Sequence, residues 1–494
     1  MKRTWLILIL LSGIFNIATA QNIDSITAKA AGSFMAGGPR VGLSVGIIKG
    51  GRVYTYHFGA KEKGKNTLPT GETIYEIGSL TKTFTSRLLA QAVLEKRVKL
   101  TDDIRKYLKG NYPNLQFEGK PIQLVHLANL TSGLPDNLPE VMPPSTAADP
   151  DAKLFEIQQF HDSYTKAKFL ADLHGVKLKR APGMSPAHSN TAAELMGFLL
   201  ENIYGMSYDA LLQKFVTGPL KMNSTYVTVP ASKAGLSAKG YSQTGALMPV
   251  IPKDAGSAGV LTSSLNDMVK YLGNQLQEKN KAVLLSHRIT WGDADTYGIA
   301  LNWQTKTNFD GQRMIWGSGG TFGFASYMLF YPERGFGVVL LSNENDNGAE
   351  NALSGLAHGV YDVVYFTAEE RAKAGFGFSR SVNRLLEELN SRGFEHAADV
   401  AADLKQKDAL FKLTEDELNN FGYSLIGRGW KEKALEIFKL NVALFPKSAN
   451  TYDSLAETYD ALGDKENAVK YYKKVLELDP GSMNAITYLK NAMK

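Results

Sequence analysis

Residues Thr73–Phe84, with the sequence TIYEIGSLTKTF, decide the fold of the larger part of this chain. Thr73–Ile77 alternates in a manner typical of a short β-strand. Leu80, Phe84 and Leu88 then recur at four-residue intervals, which predicts a helix with one apolar face. The stretch therefore predicts a strand that turns directly into a helix.

Ser79 and Lys82 form an S-x-x-K pair at this junction. The first turn of a helix presents unpaired backbone N–H groups and favours negative charge. A lysine three residues later lies one turn along the same face, within reach of the serine hydroxyl. When such a lysine is partly desolvated, it can lose its proton near neutral pH and act as a base. Ser79 is therefore a candidate nucleophile and Lys82 its candidate base.

A second S-x-x-K pattern occurs at Ser163-Tyr164-Thr165-Lys166. It lies inside the polar stretch Lys153–Leu173, which we expect to be helical and which has neither a preceding strand nor a glycine. This context predicts a solvated helix face rather than a nucleophile.

Strand patterns lie on both sides of a helical middle. Val41–Phe58 predicts a β-hairpin, and Gly323–Phe330 and Gly335–Ser342 predict two later strands around a turn. The region from Ser79 to about Lys221 is predominantly helical in pattern. Outer strands with a helical insert predict an α+β domain, an antiparallel mixed sheet flanked by helices.

The C-terminal part carries an internal repeat with a spacing of 34 residues. Small residues, aromatic residues and a closing proline recur in register, as in the tetratricopeptide repeat, which this part resembles. Met483–Lys494 is expected to be a terminal helix, and Arg384–Lys405 a degenerate first unit. The resemblance implies an all-α module with a groove for a protein or peptide partner, or a structural appendage. The matching positions are Gly422, Leu425, Gly429, Ala434, Phe438 and Pro446, with Ala456, Tyr459, Gly463, Ala468, Tyr472 and Pro480.

The composition of the 494-residue chain is that of a globular protein with a net charge of +6. The charge is diffuse, so we expect neither nucleic-acid nor lipid binding. The sequence contains 0 cysteines, which excludes disulfides and thiol chemistry. The histidines show no metal-ligand spacing, and no cofactor motif is found, so we expect neither a metal nor a cofactor.

Residues 1–20 have the pattern of a secretory signal peptide. Lys2 and Arg3 precede an apolar run, and Ala18-Thr19-Ala20 provides small residues for cleavage. The run is short for a membrane span. We therefore expect a periplasmic or secreted protein without stable membrane insertion after cleavage.

Several segments, in one order along residues 23–366, resemble the class C β-lactamase-like serine hydrolase family, penicillin-binding enzymes with an S-x-x-K nucleophile. This resemblance and the repeat together predict three parts: a signal peptide at 1–20, a hydrolase domain at 21–368 and a tetratricopeptide domain at 380–494. The supporting segments, besides the one around Ser79, are Leu127–Pro135, Gly218–Thr225, Ala258–Met268 and Tyr297–Trp303.

The family's second motif, Tyr-x-Asn, corresponds to His188-Ser189-Asn190. Asn190 can hydrogen-bond both a lysine amine and a substrate amide. Histidine replaces the tyrosine, but an imidazole titrates near neutral pH and is suited to proton transfer. We therefore expect His188 to relay protons together with Lys82 and Asn190.

The family's third motif corresponds to Trp316–Phe324. Gly317 stands where the family has lysine or histidine, so the cation that holds a substrate carboxylate is missing. By resemblance, the backbone N–H groups of Ser79 and Gly320 form the oxyanion hole. Ser318 and Gly319 belong to the same substrate-binding segment, and Ser318 can donate one hydrogen bond in compensation.

These features predict an exported serine hydrolase that forms an acyl-enzyme on Ser79. The expected substrates are, in order, a β-lactam or cell-wall-type peptide amide, a small ester, and a D-amino-acid peptide. The alternative from another class is a catalytically weak module that binds a peptide or a partner, with the repeats as its scaffold. Changes at 188 and 317 favour this alternative, and retention of Ser79, Lys82 and Asn190 opposes it.

Overall fold

The computed structural model describes residues 23–141, 145–252, 256–346 and 348–492. The chain divides into two compact units. The first runs to Thr307 and includes Gln312–Tyr365, and the second comprises Asn308–Gly311 and the chain from Phe366 onward. Within the described ranges, no helix has the length and apolar character that crossing a membrane requires. The predicted signal peptide lies outside the described residues.

The first unit is built on an eight-stranded sheet of order β2-β1-β13-β12-β11-β10-β9-β8, in which neighbouring strands pair antiparallel. A three-stranded sheet of order β3-β7-β6 and a short hairpin of β4 and β5 accompany it. The strands are β1 Gly42–Lys49, β2 Arg52–Gly59, β3 Ile74–Glu76, β4 Gln116–Phe117, β5 Lys120–Pro121, β6 Thr225–Tyr226, β7 Thr262–Ser264, β8 Trp291–Gly292, β9 Gly298–Ile299, β10 Gln304–Thr307, β11 Arg313–Gly320, β12 Ala325–Tyr331 and β13 Phe336–Ser342.

Helices cover the sheet and form the insert between its strands. Residues 23–36 form α1. The other helices of this unit are α2 Thr81–Leu94, α3 Leu124–Ala128, α4 Pro150–Asp162, α5 Lys166–Leu173, α6 Asn190–Tyr204, α7 Tyr208–Leu212, α8 Gly256–Gly259, α9 Leu265–Gln277, α10 Lys281–Ser286 and α11 Ala349–Tyr365.

Both faces of the main sheet are buried. On β12, Phe330 packs against Trp303 with ring centroids 5.2 Å apart, and the next residue, Tyr331, stacks on Tyr361 of α11 at 3.9 Å. Successive side chains of a strand point to opposite faces, so each face has its own aromatic cluster. Burial on both sides explains why β12 and β13 are apolar almost throughout. The predicted α+β architecture is confirmed.

The prediction of one continuous helix across Lys153–Leu173 is wrong. The chain leaves α4 at Ser163 and starts α5 at Lys166, because the Thr165 side chain accepts a hydrogen bond from the Lys168 backbone and caps the new helix. Lys166 pairs with Glu201 at 2.6 Å. The second S-x-x-K pattern therefore spans a helix break, and its lysine is engaged elsewhere.

From Phe366 onward, the described residues of the second unit form helices and their connections, as predicted for the C-terminal part. Helices α15 to α18 form two helix–turn–helix repeats, and α19 follows them. In the first repeat a Cβ at Gly422 would lie 2.4 Å from the Phe438 ring, so only glycine fits there. The second repeat has Ala456 and Tyr472 at these positions, both buried. The helices are α12 Ala368–Ala372, α13 Arg380–Arg392, α14 Ala397–Lys407, α15 Glu415–Gly427, α16 Lys431–Leu444, α17 Ala449–Ala461, α18 Lys465–Leu478 and α19 Met483–Ala492.

Candidate active site

Ser79 lies in a 3₁₀ turn, Gly78–Leu80, between β3 and α2. Two hydrogen bonds to the Ile77 peptide groups hold the start of the turn: Ile77 N–H donates to the Leu261 carbonyl at 3.0 Å, and the Ser326 hydroxyl donates to the Ile77 carbonyl at 2.8 Å. Gly78 has φ +52°, and a Cβ there would lie 2.6 Å from the Gly320 carbonyl oxygen. Glycine at 78 therefore lets the turn approach β11 closely and leaves Ser79 half-buried at its edge.

Lys82 lies one turn along α2 and is nearly inaccessible, with 4% of its surface exposed. Its Nζ lies 2.7 Å from Ser79 Oγ, 2.8 Å from Asn190 Oδ1 and 2.8 Å from the Ala258 carbonyl oxygen. Burial lowers the pKa of Lys82 to about 7, although the charges of Asp136 and Glu350 oppose this shift.

An ammonium can donate to all three oxygens, and a neutral amine can satisfy the same contacts in the following way. Asn190 Oδ1 and the Ala258 carbonyl can only accept hydrogen bonds, so they engage the two N–H groups of the amine. The remaining lone pair then faces Ser79 Oγ at 2.7 Å, where it can receive the hydroxyl proton. The arrangement suits a lysine that acts as a base toward the serine.

Asn190 is the first residue of α6, and this helix start is tied to the segment that follows α3. Ser189 caps the helix by accepting a hydrogen bond from the Ala192 backbone at 3.0 Å, and it donates to the Pro135 carbonyl at 2.7 Å. The Asn190 amide donates to Asn137 Oδ1 at 3.0 Å. The Asn190 carboxamide is thus fixed in the orientation that directs its oxygen at Lys82.

His188 lies next to this helix start and pairs with Asp136. The two atoms, His188 Nδ1 and Asp136 Oδ1, are 2.6 Å apart, and both side chains are 54% exposed. The hydrogen bond from His188 lowers the pKa of Asp136, so the carboxyl group is ionised at neutral pH. In the described part of the chain, His188 forms no hydrogen bond to Ser79 or Lys82.

Sequence reasoning missed Asp136 and Asn137. Both follow directly after Leu127–Pro135, a segment that carried the family resemblance, so their position along the chain was a usable signal. No signal in the sequence indicated their pairing with His188 and Asn190, because these partners lie 52 and 53 residues away along the chain.

The backbone of β11 lies directly against the nucleophile turn. A Cβ at Gly319 would lie 2.2 Å from the Ile77 carbonyl oxygen and 2.6 Å from the Ser79 nitrogen. Gly320, the last residue of β11, borders the same turn through Gly78, and Ser318 is half-buried one residue before Gly319. The structure thus brings Ser79, Ser318, Gly319 and Gly320 together, with the peptide groups of two segments side by side.

Position 317 faces the protein interior on the side of α2. A Cβ at Gly317 would lie 3.2 Å from Leu80 Cδ2 and 3.3 Å from Trp303 Cζ3. Trp303 is fully buried. Two apolar side chains therefore fill the space in which a side chain at 317 would begin.

Glu350 is a further acidic group that sequence reasoning missed. It lies in the first turn of α11, and its Oε1 would be 2.8 Å from a Cβ built on Gly320. Its charge also acts on Lys82. Nothing in the sequence around Glu350 distinguishes it from an ordinary acidic residue at a helix start, which the helix dipole favours.

Comparisons with known proteins agree with this architecture. The family model described as Beta-lactamase matches residues 27–359, and a Tetratricopeptide repeat model matches residues 449–482. A Beta-lactamase of Escherichia coli (strain K12) is 27% identical over 386 residues, covering 70% of this chain and 95% of the relative. The D-alanyl-D-alanine-carboxypeptidase/endopeptidase AmpH of the same strain is 28% identical over 370 residues, covering 70% of this chain and 90% of the relative.

A solved structure shares the fold. The crystal structure of a Beta-lactamase/D-alanine Carboxypeptidase from Yersinia pestis complexed with citrate matches with a TM-score of 0.60 and 24% sequence identity. The match covers 70% of this chain and 99% of that structure. Since the family model spans most of the chain, from residue 27 to residue 359, this protein belongs to the Beta-lactamase family of serine hydrolases and carries a tetratricopeptide repeat after that domain.

Proposed function

We propose that this protein is an exported hydrolase that cleaves amide or ester bonds through an acyl-enzyme on Ser79. One observation carries the proposal: the Lys82 amine is buried, has a pKa of about 7 and lies 2.7 Å from the serine hydroxyl. A base with this pKa is about half deprotonated at neutral pH, which is the condition for efficient proton transfer.

In the proposed reaction Lys82 takes the proton of Ser79 as Oγ forms a bond to the substrate carbonyl carbon. The oxygen of that carbonyl becomes negative and is stabilised by the backbone N–H groups of Ser79 and Gly320. The carbon–nitrogen or carbon–oxygen bond then breaks, and the leaving group receives the proton. Water attacks the acyl group, returns a proton to Ser79 and releases the acid. No cofactor takes part in this scheme.

We assign proton relay to His188, with Asp136 as its positioning partner. The hydrogen bond to Asp136 uses Nδ1 of His188, so Nε2 is left to exchange a proton with the leaving group or with water. Asn190 holds Lys82, and Ser318 offers a hydrogen bond to a polar group of the substrate. In this assignment a histidine–carboxylate pair replaces the tyrosine of the family's second motif.

The proposed substrates are a β-lactam or cell-wall-type peptide amide, then a small ester, then a D-amino-acid peptide. The names of two relatives support β-lactam or cell-wall-type amides and D-amino-acid peptides as substrates. One relative is a β-lactamase and the other a D-alanyl-D-alanine-carboxypeptidase/endopeptidase. The glycine at 317 removes the cation that would hold a carboxylate, and this favours less anionic substrates, including esters.

Intact-mass spectrometry tests the nucleophile. The protein is incubated with a fluorescent penicillin or a fluorophosphonate, and one adduct on Ser79 is expected. The Ser79→Ala variant should remain unlabelled, and Ser163→Ala, at the second S-x-x-K pattern, should label like the wild type. Equal labelling of Ser79→Ala would refute the proposal.

A panel of nitrocefin, p-nitrophenyl esters and D-Ala p-nitroanilide ranks the substrate classes. Absence of turnover on the whole panel, together with absence of an adduct, would favour the alternative in which the protein binds a peptide or partner. The tetratricopeptide domain is the proposed surface for such a protein or peptide partner.

We further propose export to the periplasm or medium after removal of residues 1–20, with domains at 21–368 and 380–494. Expression in a bacterial host and N-terminal sequencing of the exported protein should find Gln21 at the start. Limited proteolysis should cut first between 368 and 380. A retained N-terminus, or first cuts inside either domain, would contradict these boundaries.

A further inference from the structure

Two acidic residues, Asp136 and Glu350, lie near enough to Lys82 to act on its charge. Lys82 is itself only partly protonated near pH 7. Among the described residues, neither carboxylate forms an ion pair with a lysine or arginine; Asp136 pairs with His188, and Glu350 has no partner within ion-pair distance. The surroundings of Lys82 therefore contain two carboxylates that no lysine or arginine of the described residues pairs with.

Glu350 lies beside Gly320, at the end of the strand that borders the Ser79 turn. Its Oε1 would be 2.8 Å from a Cβ on Gly320, and Asn345 Nδ2 would be 3.1 Å from that Cβ. Asn345 donates to the Thr321 carbonyl at 2.6 Å, which fixes it beside the strand end. A carboxylate in this place lies against the peptide group that we assign to the oxyanion hole.

The side of the site where the family has its lysine or histidine is apolar in this protein. Leu80 and Trp303 lie 3.2 and 3.3 Å from the position of a Cβ at Gly317, so apolar groups occupy the space next to β11. A substrate carboxylate would find no cation at 317 and a repelling carboxylate at 350. A substrate ammonium would be attracted by the carboxylate at 350 and would meet no competing cation at 317. Such attraction and repulsion between charges are strongest where water is partly excluded.

We propose that Glu350 makes this site select substrates that carry a positively charged ammonium or guanidinium group next to the scissile amide or ester. The inference rests on the proposed function of Ser79 and adds to it the charge class of the substrate. Glu350 is a specificity-determining residue in this scheme; it does not transfer a proton or form a covalent bond.

Three p-nitrophenyl esters of equal acyl length test the proposal, with an ammonium, a neutral amide or a carboxylate at the end of the acyl chain. For the wild type, kcat/KM should be highest for the ammonium ester and lowest for the carboxylate ester. Glu350→Gln should reduce the ammonium-to-carboxylate ratio about five- to tenfold, the range for one partly solvated charge contact. The same ratio in Glu350→Gln as in the wild type would overturn the proposal.

Two variants serve as controls. Glu350→Asp keeps the charge and should keep most of the preference. Glu118→Gln removes one charge from an exposed turn between β4 and β5 and should leave the ratio unchanged. The preference should also weaken as salt concentration rises, because ions screen exposed charge pairs. If Glu118→Gln reduced the ammonium-to-carboxylate ratio as much as Glu350→Gln does, the preference would come from the net charge of the protein. That result would overturn the role of Glu350.

A binding measurement separates this inference from the proposed reaction. Calorimetry on the Ser79→Ala variant compares the N-methyl amides of the same three acyl chains. Tighter binding of the ammonium compound, lost in Ser79→Ala/Glu350→Gln, would support the selectivity even if Ser79 were never acylated. Acylation of Ser79 without any charge preference in rate or binding would refute the selectivity alone.

Discussion

His188 Nδ1 lies 2.6 Å from Asp136 Oδ1, and the same segment places Asn190 Oδ1 2.8 Å from Lys82 Nζ. A histidine–carboxylate pair is thus attached to the helix start that positions the lysine. The carboxylate fixes the ring orientation and favours the tautomer with its proton on Nδ1.

Replacing His188 tests the relay. His188→Ala should lower kcat/KM roughly 10²–10⁴-fold, the range for general acid–base groups. Asp136→Asn should cause a smaller loss and shift the pH–rate profile, because Asp136 positions the ring and does not touch the substrate. His188→Tyr, with the family's residue, should restore part of the rate. Near-wild-type turnover of His188→Ala would remove the histidine from the mechanism.

The pH dependence of the rate should report Lys82. Since burial lowers the pKa of Lys82 to about 7, kcat/KM should rise with pH as the amine loses its proton, by about tenfold between pH 6 and pH 8. Lys82→Arg should be inactive, because a guanidinium does not deprotonate in this range. A rate that keeps rising to pH 10 would show that the lysine titrates near its ordinary value.

A methyl group on Gly319 should disturb the nucleophile. Gly319→Ala would place a Cβ 2.6 Å from the Ser79 nitrogen, so backbone must move, and kcat should fall about 10²–10³-fold, as for loss of an oxyanion-hole donor. Gly320→Ala should cause a smaller loss, because its Cβ meets the ends of the Glu350 and Asn345 side chains rather than main-chain atoms. Equal losses in both variants would argue against a steric origin.

A lysine at 317 should change the preference of the enzyme between anionic and neutral substrates. Gly317→Lys should raise the kcat/KM ratio of an anionic to a neutral ester about tenfold, and Gly317→Ala should not. Both variants should lower the melting temperature, because Leu80 and Trp303 must yield to the new Cβ. An unchanged ratio in a folded Gly317→Lys variant would count against the missing-cation argument.

Glu76 should make stability depend on pH. Burial raises its pKa to about 7, so the folded state retains a proton that the unfolded state loses above about pH 4.5, and stability falls as pH rises through this window. Glu76→Gln keeps an acceptor for the Ile251 N–H. Relative to the wild type, this variant should gain about 3 kcal/mol in free energy of unfolding between pH 4.5 and 8. Chemical unfolding at both pH values measures the difference, and a constant difference would contradict the prediction.

Local patterns made much of the fold predictable. The hairpin at Val41–Phe58 became β1 and β2, because apolar runs around a Gly-Gly turn leave few other arrangements. The repeat of 34 residues identified the C-terminal helices, because each repeat packs its small and aromatic positions in the same way. The placement of Lys82 near Ser79 followed from helical spacing alone.

Contacts between distant segments could not be read from the sequence. The Ser163–Lys166 break depends on a threonine cap that competes with helix continuation. The Asp136–His188 pair, the indole of Trp303 beside Gly317 and the carboxylate of Glu350 beside Gly320 depend on how helices and strands pack. The residues that we propose to control substrate choice were therefore less accessible to sequence reasoning than the nucleophile and its base.

The contact between the turn at Gly78 and the strand end at Gly319 and Gly320 has an evolutionary consequence. Main-chain atoms of both segments meet here, and the Ser326 hydroxyl lies within hydrogen-bonding distance of the Ile77 and Gly319 carbonyl oxygens. Side chains at 188, 317 and 350 can therefore diverge among descendants of one ancestor without altering the part of the site that stabilises charge. Such a design allows few substitutions to change the substrate, while a Cβ at 78 or 319 would collide with main-chain atoms of the facing segment.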